Sequence, residues 1–154
     1  MRKSFLKIIS AFLVIIPVFI FSCTPGSCYD ETEARVKASM YQSATEKIVA
    51  PDSVSLFGLE RDSAIYKKTS NITSMLFPLD PTTETCTFLV KINGESDTVT
   101  FSYSSYAHFI SKECGYTYYF TIEQPVTTNN IIDKIVLTKK TIKTLNEENM
   151  RIYY

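Results

Sequence analysis

Cys86-Thr-Phe88-Leu-Val90-Lys-Ile92-Asn93-Gly94-Glu-Ser-Asp-Thr98-Val99-Thr100-Phe101-Ser102-Tyr103 is the stretch whose reading decides the fold. Cys86, Phe88, Val90 and Ile92 recur at a period of two. That is the spacing of a strand with one face buried, because successive side chains point to opposite faces of a sheet. Asn93-Gly94 follows at once. Both residue types tolerate positive φ, which makes the pair a strong hairpin signal, and the loop is expected to run on to Ser96. The return strand then places Val99, Phe101 and Tyr103 inward and Thr98, Thr100 and Ser102 outward.

Both flanks carry the same punctuation. Downstream, Phe109–Lys112 and Tyr116–Ile122 flank Glu113-Cys114-Gly115 and read as a second hairpin, with Tyr116, Tyr118, Phe120 and Ile122 on one face. A loop through Pro125 and Asn129-Asn130 leads to a strand over Ile131–Thr138 with Ile135 and Leu137 inward. The polar run from Lys139 to Asn149 is expected to hold a single helical turn, and Arg151–Tyr154 a last strand. Upstream, Ser53–Leu59 sets Val54 and Leu56 on one face, and Ala64–Lys67 follows the polar turn Glu60-Arg61-Asp62-Ser63. Met75–Leu79 is a short apolar strand that Pro78, which has no N–H to donate, assigns to a sheet edge. Glu33–Gln42 stays open: Val36, Ala38 and Met40 alternate, while Val36, Met40, Ala44 and Ile48 repeat at helical spacing. The sum is an all-β domain, an antiparallel β-sandwich of about eight or nine short strands, with a small β-barrel as the alternative.

The first residues are of another kind. Arg2, Lys3 and Lys7 precede an apolar run from Ile8 to Phe21, broken only by Ser10 and Pro17, and Ser22-Cys23 follow. A basic start, a short apolar stretch and a small residue make an export signal, and the run is shorter than the roughly 20 apolar residues of a membrane span. The expected organisation is a signal peptide over 1–22, a tether rich in Pro, Gly, Ser and acids over 23–32, and a single domain over 33–154. Removing 22 of the 154 residues leaves 132, enough for one core. Of 16 basic residues the signal takes three, leaving 13 against 16 acidic. A net charge near −3 argues against nucleic acid as a partner, because that binding needs clustered basic side chains.

Ile20-Phe21-Ser22-Cys23 resembles a bacterial lipobox. The resemblance implies that Cys23 is lipidated and becomes the first residue of the mature chain. Several acyl chains, at roughly 0.8 kcal/mol per buried methylene, hold firmly to a bilayer. Taken with Phe77-Pro78-Leu79-Asp80-Pro81, Ser111-Lys112-Glu113-Cys114-Gly115-Tyr116 and the terminal Ile152-Tyr153-Tyr154, the chain resembles an uncharacterised family of small Bacteroidota outer-membrane lipoproteins. That resemblance implies a lipid anchor at the outer membrane, on its periplasmic or its cell-surface face, and a strand over Glu33–Tyr41. It implies no activity.

Three cysteines follow Cys23. Cys86 lies in phase with Phe88 and Val90 and reads as a small apolar residue. Cys28 and Cys114 lie in turn-like segments, and the resembling family also keeps one early cysteine and another before a glycine. A Cys28–Cys114 disulfide with Cys86 free is therefore expected.

Catalytic constellations are absent from the pattern. His108 is the single histidine, and the serines near it form no Gly-x-Ser-x-Gly elbow. Glu60, Asp62, Asp80 and Asp97 are scattered over separate turns, which is not the clustering a calcium site needs. No cysteine pair has zinc spacing, and four glycines provide no phosphate-binding loop. No enzyme activity, metal or cofactor is expected. Asp52-Ser53-Val54, Asp62-Ser63-Ala64 and Asp97-Thr98-Val99 resemble the Bacteroidota O-glycosylation sequon and make Ser53, Ser63 and Thr98 candidate sites. The expected function is a structural or protein-interaction role at the outer membrane, with an envelope protein or glycan as partner. The alternative is a carbohydrate- or peptide-binding module using Tyr103, Tyr106, Tyr116, Tyr118 and Tyr119, since tyrosine suits half-wet contacts.

Overall fold

The computed structural model describes residues 27–59, 61 and 63–154. The expected signal peptide over 1–22, Cys23 as the expected lipidation site and Asp62 of the second candidate sequon lie outside the described residues. The strands are β1 Arg35–Gln42, β2 Lys47–Ile48, β3 Val54–Gly58, β4 Ala64–Thr69, β5 Ser74–Pro78, β6 Thr85–Ile92, β7 Glu95–Ser111, β8 Gly115–Ile122, β9 Val126–Thr127, β10 Lys134–Leu137, β11 Thr141–Ile142 and β12 Met150–Tyr153. They form two sheets. One runs β10-β12-β1-β2, with β5 also on β1; the other runs β11-β8-β7-β6-β3-β4, with β9 also on β7. The architecture is all-β and sandwich-like, with one sheet curled into a half-barrel.

The inner faces are those the alternation predicts. Val36, Ala38 and Met40 of β1, Met75 and Phe77 of β5 and Met150 and Ile152 of β12 meet Val54, Leu56, Phe88, Val90, Ile92, Val99 and Phe101 of the second sheet, all buried. Phe77, Phe88 and Phe101 interlock across the layers with ring centroids 5.2–5.9 Å apart. Such pairs add about 0.5–1.5 kcal/mol each beyond the area they bury. Among the described residues β5 pairs only with β1, so Pro78 does sit on an edge strand.

Glu33–Gln42 resolves as strand: β1 lies inside its sheet, parallel to β12 on one side and antiparallel to β5 and β2 on the other. Asn149 clamps the parallel pair. Its side-chain oxygen accepts from the Lys37 N–H at 2.9 Å, and its own N–H donates to the Lys37 carbonyl at 2.9 Å.

Three expectations are corrected. The central hairpin closes in two residues, with Ile92 opposite Glu95 and both Asn93 and Gly94 at positive φ, so the loop does not reach Ser96. The mirror-image turn matches the right-handed twist of the strands, and the ladder therefore begins immediately. The polar run after Lys139 contains β11, not a helical turn; Ile142 is buried and draws the segment onto β8. Finally, Val99–Tyr103 and Phe109–Lys112 are not separate short strands. Val99–Tyr103 and Phe109–Ser111 belong to one 17-residue strand, β7, which changes partners partway along, and Lys112 falls in the turn that follows.

Candidate functional site

The change of partners on β7 creates the most distinctive surface of the molecule. From Glu95 to Ser102, β7 pairs with β6 along one edge, and near Val99 with β9 along the other. From Tyr103 onward it pairs with β8. The β6 edge is last used where the Tyr103 N–H donates to the Glu84 carbonyl at 2.9 Å, and β11 reaches β8 only at Phe120 and Thr121. Among the described residues, the outer part of β7 and β8 therefore runs on as a two-stranded ribbon. Its turn holds Lys112, Glu113 and Cys114, with Gly115 at positive φ.

The ribbon has two unlike faces. Continuing outward from Tyr103, Phe120 and Ile122, one face carries Ser105, Ala107, Phe109, Tyr118 and Tyr116. Phe109 and Tyr116 are cross-strand partners with rings 5.2 Å apart. Phe109, Tyr116 and Tyr118 are all exposed, Tyr116 by 72%. The other face carries Tyr106, His108, Thr117 and Tyr119. There His108 stacks on Tyr119 at 4.2 Å, and Tyr106 meets Tyr119 edge-on at 5.9 Å. This second face is crossed by the N-terminal segment: Thr117 is buried and its hydroxyl donates to the Thr32 carbonyl.

A disulfide joins Cys28 to Cys114, 86 positions apart in sequence, with Cα atoms 4.8 Å apart. The segment read as a tether is thus fastened at the ribbon tip, as the expected bridge implies, crosses the ribbon at Thr117 and enters β1. Cys86 is free and half-buried. Burial pushes its thiol up to about 11, against a weaker opposing hydrogen bond from Tyr103. A thiol so protonated is a poor nucleophile.

The five tyrosines singled out from the sequence do not make one surface. Tyr103 is buried. Its phenol donates to the Asp80 carbonyl at 2.9 Å and accepts from the Asp80 N–H at 3.2 Å, so it ties the loop before β6 to the core. Tyr106 and Tyr119 share one ribbon face; Tyr116 and Tyr118 share the other. Of the sequon residues, Ser63 is exposed, whereas Ser53 and Thr98 are half-buried, Thr98 within β7.

Two features escape sequence reasoning. Asp97 is buried, and its carboxylate accepts from the Thr128 hydroxyl and from the N–H groups of Asn130, Ile131 and Ile132, each N–H at 2.8 Å. Burial alone raises its pKa, but these hydrogen bonds outweigh burial and hold the carboxyl below the usual range. Asp97 therefore anchors the 128–132 loop. The one signal for this was an acid directly before an inward-facing run, opposite an Asn-Asn loop. The second feature is a groove of about 500 Å³ lined by residues that include Arg61, Asp80, Cys86 and Phe88. Arg61 faces Asp80 at 3.8 Å. The Thr82 hydroxyl and N–H hold the Asp80 carboxyl below its ordinary range. Asp80, so held, is a weak proton acceptor.

Fold and ribbon together define a small two-sheet all-β domain with a bridged aromatic arm. The chain belongs to a family of unknown function, DUF6452, whose model matches residues 53–154. The match begins just ahead of β3 and takes in the central hairpin, the ribbon and β12, while β1 and Cys28 precede it. No curated protein and no solved structure matches the chain.

Proposed function

We propose that the protein is a Bacteroidota-type envelope lipoprotein, anchored at the outer membrane through Cys23, with a structural or protein-interaction role and an envelope protein or glycan as partner. The observation that carries this reading is the Cys28–Cys114 bridge. It joins the chain five residues beyond the lipobox cysteine to a projecting ribbon, an arrangement suited to fixing a domain's attitude at a membrane. A disulfide also fits an oxidising compartment outside the cytosol. A ligand-binding reading through all five tyrosines has less support, because Tyr103 is buried and the other four divide between two faces.

Fractionation of cells producing the wild type and the Cys23→Ala variant tests the proposal. The wild type is expected in the membrane fraction with a lipid-modified mass, and the variant in the soluble fraction. A variant that is still processed normally and stays with the membrane would overturn the reading.

A further inference from the structure

We infer that the face of the ribbon carrying Phe109, Tyr116 and Tyr118 is a membrane-contacting surface that settles into the headgroup region of the bilayer beside the anchor. The inference rests on the lipid anchor at Cys23 proposed above.

The first ground is reach. Five residue steps separate Cys23 from Cys28, at most about 18 Å of extended chain. Cys28 is bonded to Cys114 in the ribbon turn. Phe109 and Tyr118 lie five and four residues along their strands from Cys114, roughly 13–17 Å at strand spacing. The ribbon tip is therefore confined near any surface that holds Cys23, and on their face the three aromatics are the first large side chains behind the turn.

The second ground is the chemistry of the two faces. Between the core and the turn, the face with the three aromatics carries only Ser105 and Ala107 besides, and no charge. The opposite face is crossed at Thr117 by the segment that bears Asp30, Glu31 and Glu33, with Thr32 bonded to Thr117. Acids are repelled by anionic headgroups, whereas tyrosine and phenylalanine suit a boundary that is apolar on one side and wet on the other. A lone lipidated segment would leave the domain free to tumble; the bridge removes that freedom and sets the uncharged face where a bilayer can meet it.

The third ground is that the fold does not need these side chains. All three are exposed, and the hydrophobic core closes without them. Large apolar side chains set together on an uncharged, unpartnered face mark an interaction surface more often than scattered ones do.

The chain contains no tryptophan, so one introduced on either face is a unique reporter. The lipidated protein carrying Tyr116→Trp is reconstituted in phosphatidylethanolamine/phosphatidylglycerol vesicles with or without brominated acyl chains. Tyr106→Trp, on the opposite face of the same ribbon, is the control. The expected result is emission from Tyr116→Trp shifted to the blue and quenched by about half or more in brominated vesicles, with the control little changed. Vesicle-bound protein in which the two variants are quenched equally little overturns this inference and leaves the anchor standing. A blue shift without quenching also overturns it, by showing that a second copy or another protein covers the face instead of lipid. Protein that fails to sediment with vesicles overturns the anchor and this inference together.

Discussion

The two halves of β7 share one backbone and one hydrogen-bonding period, yet are held in place by different means. In the half from Glu95 to Tyr103, the inward positions Asp97, Val99, Phe101 and Tyr103 are all buried. In the half from Ser104 to Ser111, the same face continues with Ser105, Ala107 and Phe109, and Phe109 is exposed. The first half faces an opposing layer, with Phe101 5.3 Å from Phe77 of β5. The second half has one strand partner, the crossing N-terminal segment and a disulfide at its tip. The comparison teaches that alternation of residue types reports the pleat of a strand but not how far the covering layer extends. A two-stranded ribbon on its own is marginal in water, so a covalent link stands where the core stops.

The most direct way to break the comparison is Phe101→Ala. The substitution empties the centre of an aromatic cluster and is expected to cost about 3–5 kcal/mol, read as a lower denaturant midpoint with an unchanged slope. A loss confined to the ribbon would mean that the first half is not the stabilising one.

Removing the bridge with the double variant Cys28→Ala/Cys114→Ala acts on the second half. The typical loss on removing such a bridge is about 2–4 kcal/mol globally. It should be accompanied by faster amide exchange at Ala107, Phe109, Tyr118 and Tyr119, while Val99 and Phe101 keep their relative protection. Equal acceleration along the whole of β7 would show that the ribbon does not depend locally on the bridge.

Asp97→Asn sharpens the account of the first half and is the smallest of the three effects, about 2 kcal/mol at neutral pH, from weakening a charged hydrogen-bond set. The folded-state pKa of Asp97 is depressed. Its stabilisation is therefore fully present above the unfolded carboxylate value of about 3.9 and lost as pH falls through the lower folded value. The gap between wild type and variant should close in that acid range. A gap independent of pH from 7 to 2 would show that the carboxylate charge is not what holds the 128–132 loop.

What was legible from residues alone was local. The hairpin around Asn93-Gly94, the edge position of Pro78, the inward sets of β3, β6 and β7 and the free state of Cys86 all follow from side-chain period, backbone freedom or the lack of a proline N–H. The Cys28–Cys114 pairing was legible from the residues together with a family resemblance. Tertiary structure decided the rest, because it depends on which surface arrives opposite which. It settled Glu33–Gln42 as strand by placing β1 between β12 and β5, where its alternating face is buried and both edges are bonded. The same logic made Asp97 a buried anchor instead of a turn acid, since three N–H groups from a loop more than thirty residues away meet its carboxylate. It also divided the tyrosines among a buried post and the two faces of the ribbon. Strand alternation sets Tyr119 on the face opposite Tyr116 and Tyr118, but only the reach of the opposing sheet makes Tyr103 buried and Phe109, on the same face of β7, exposed.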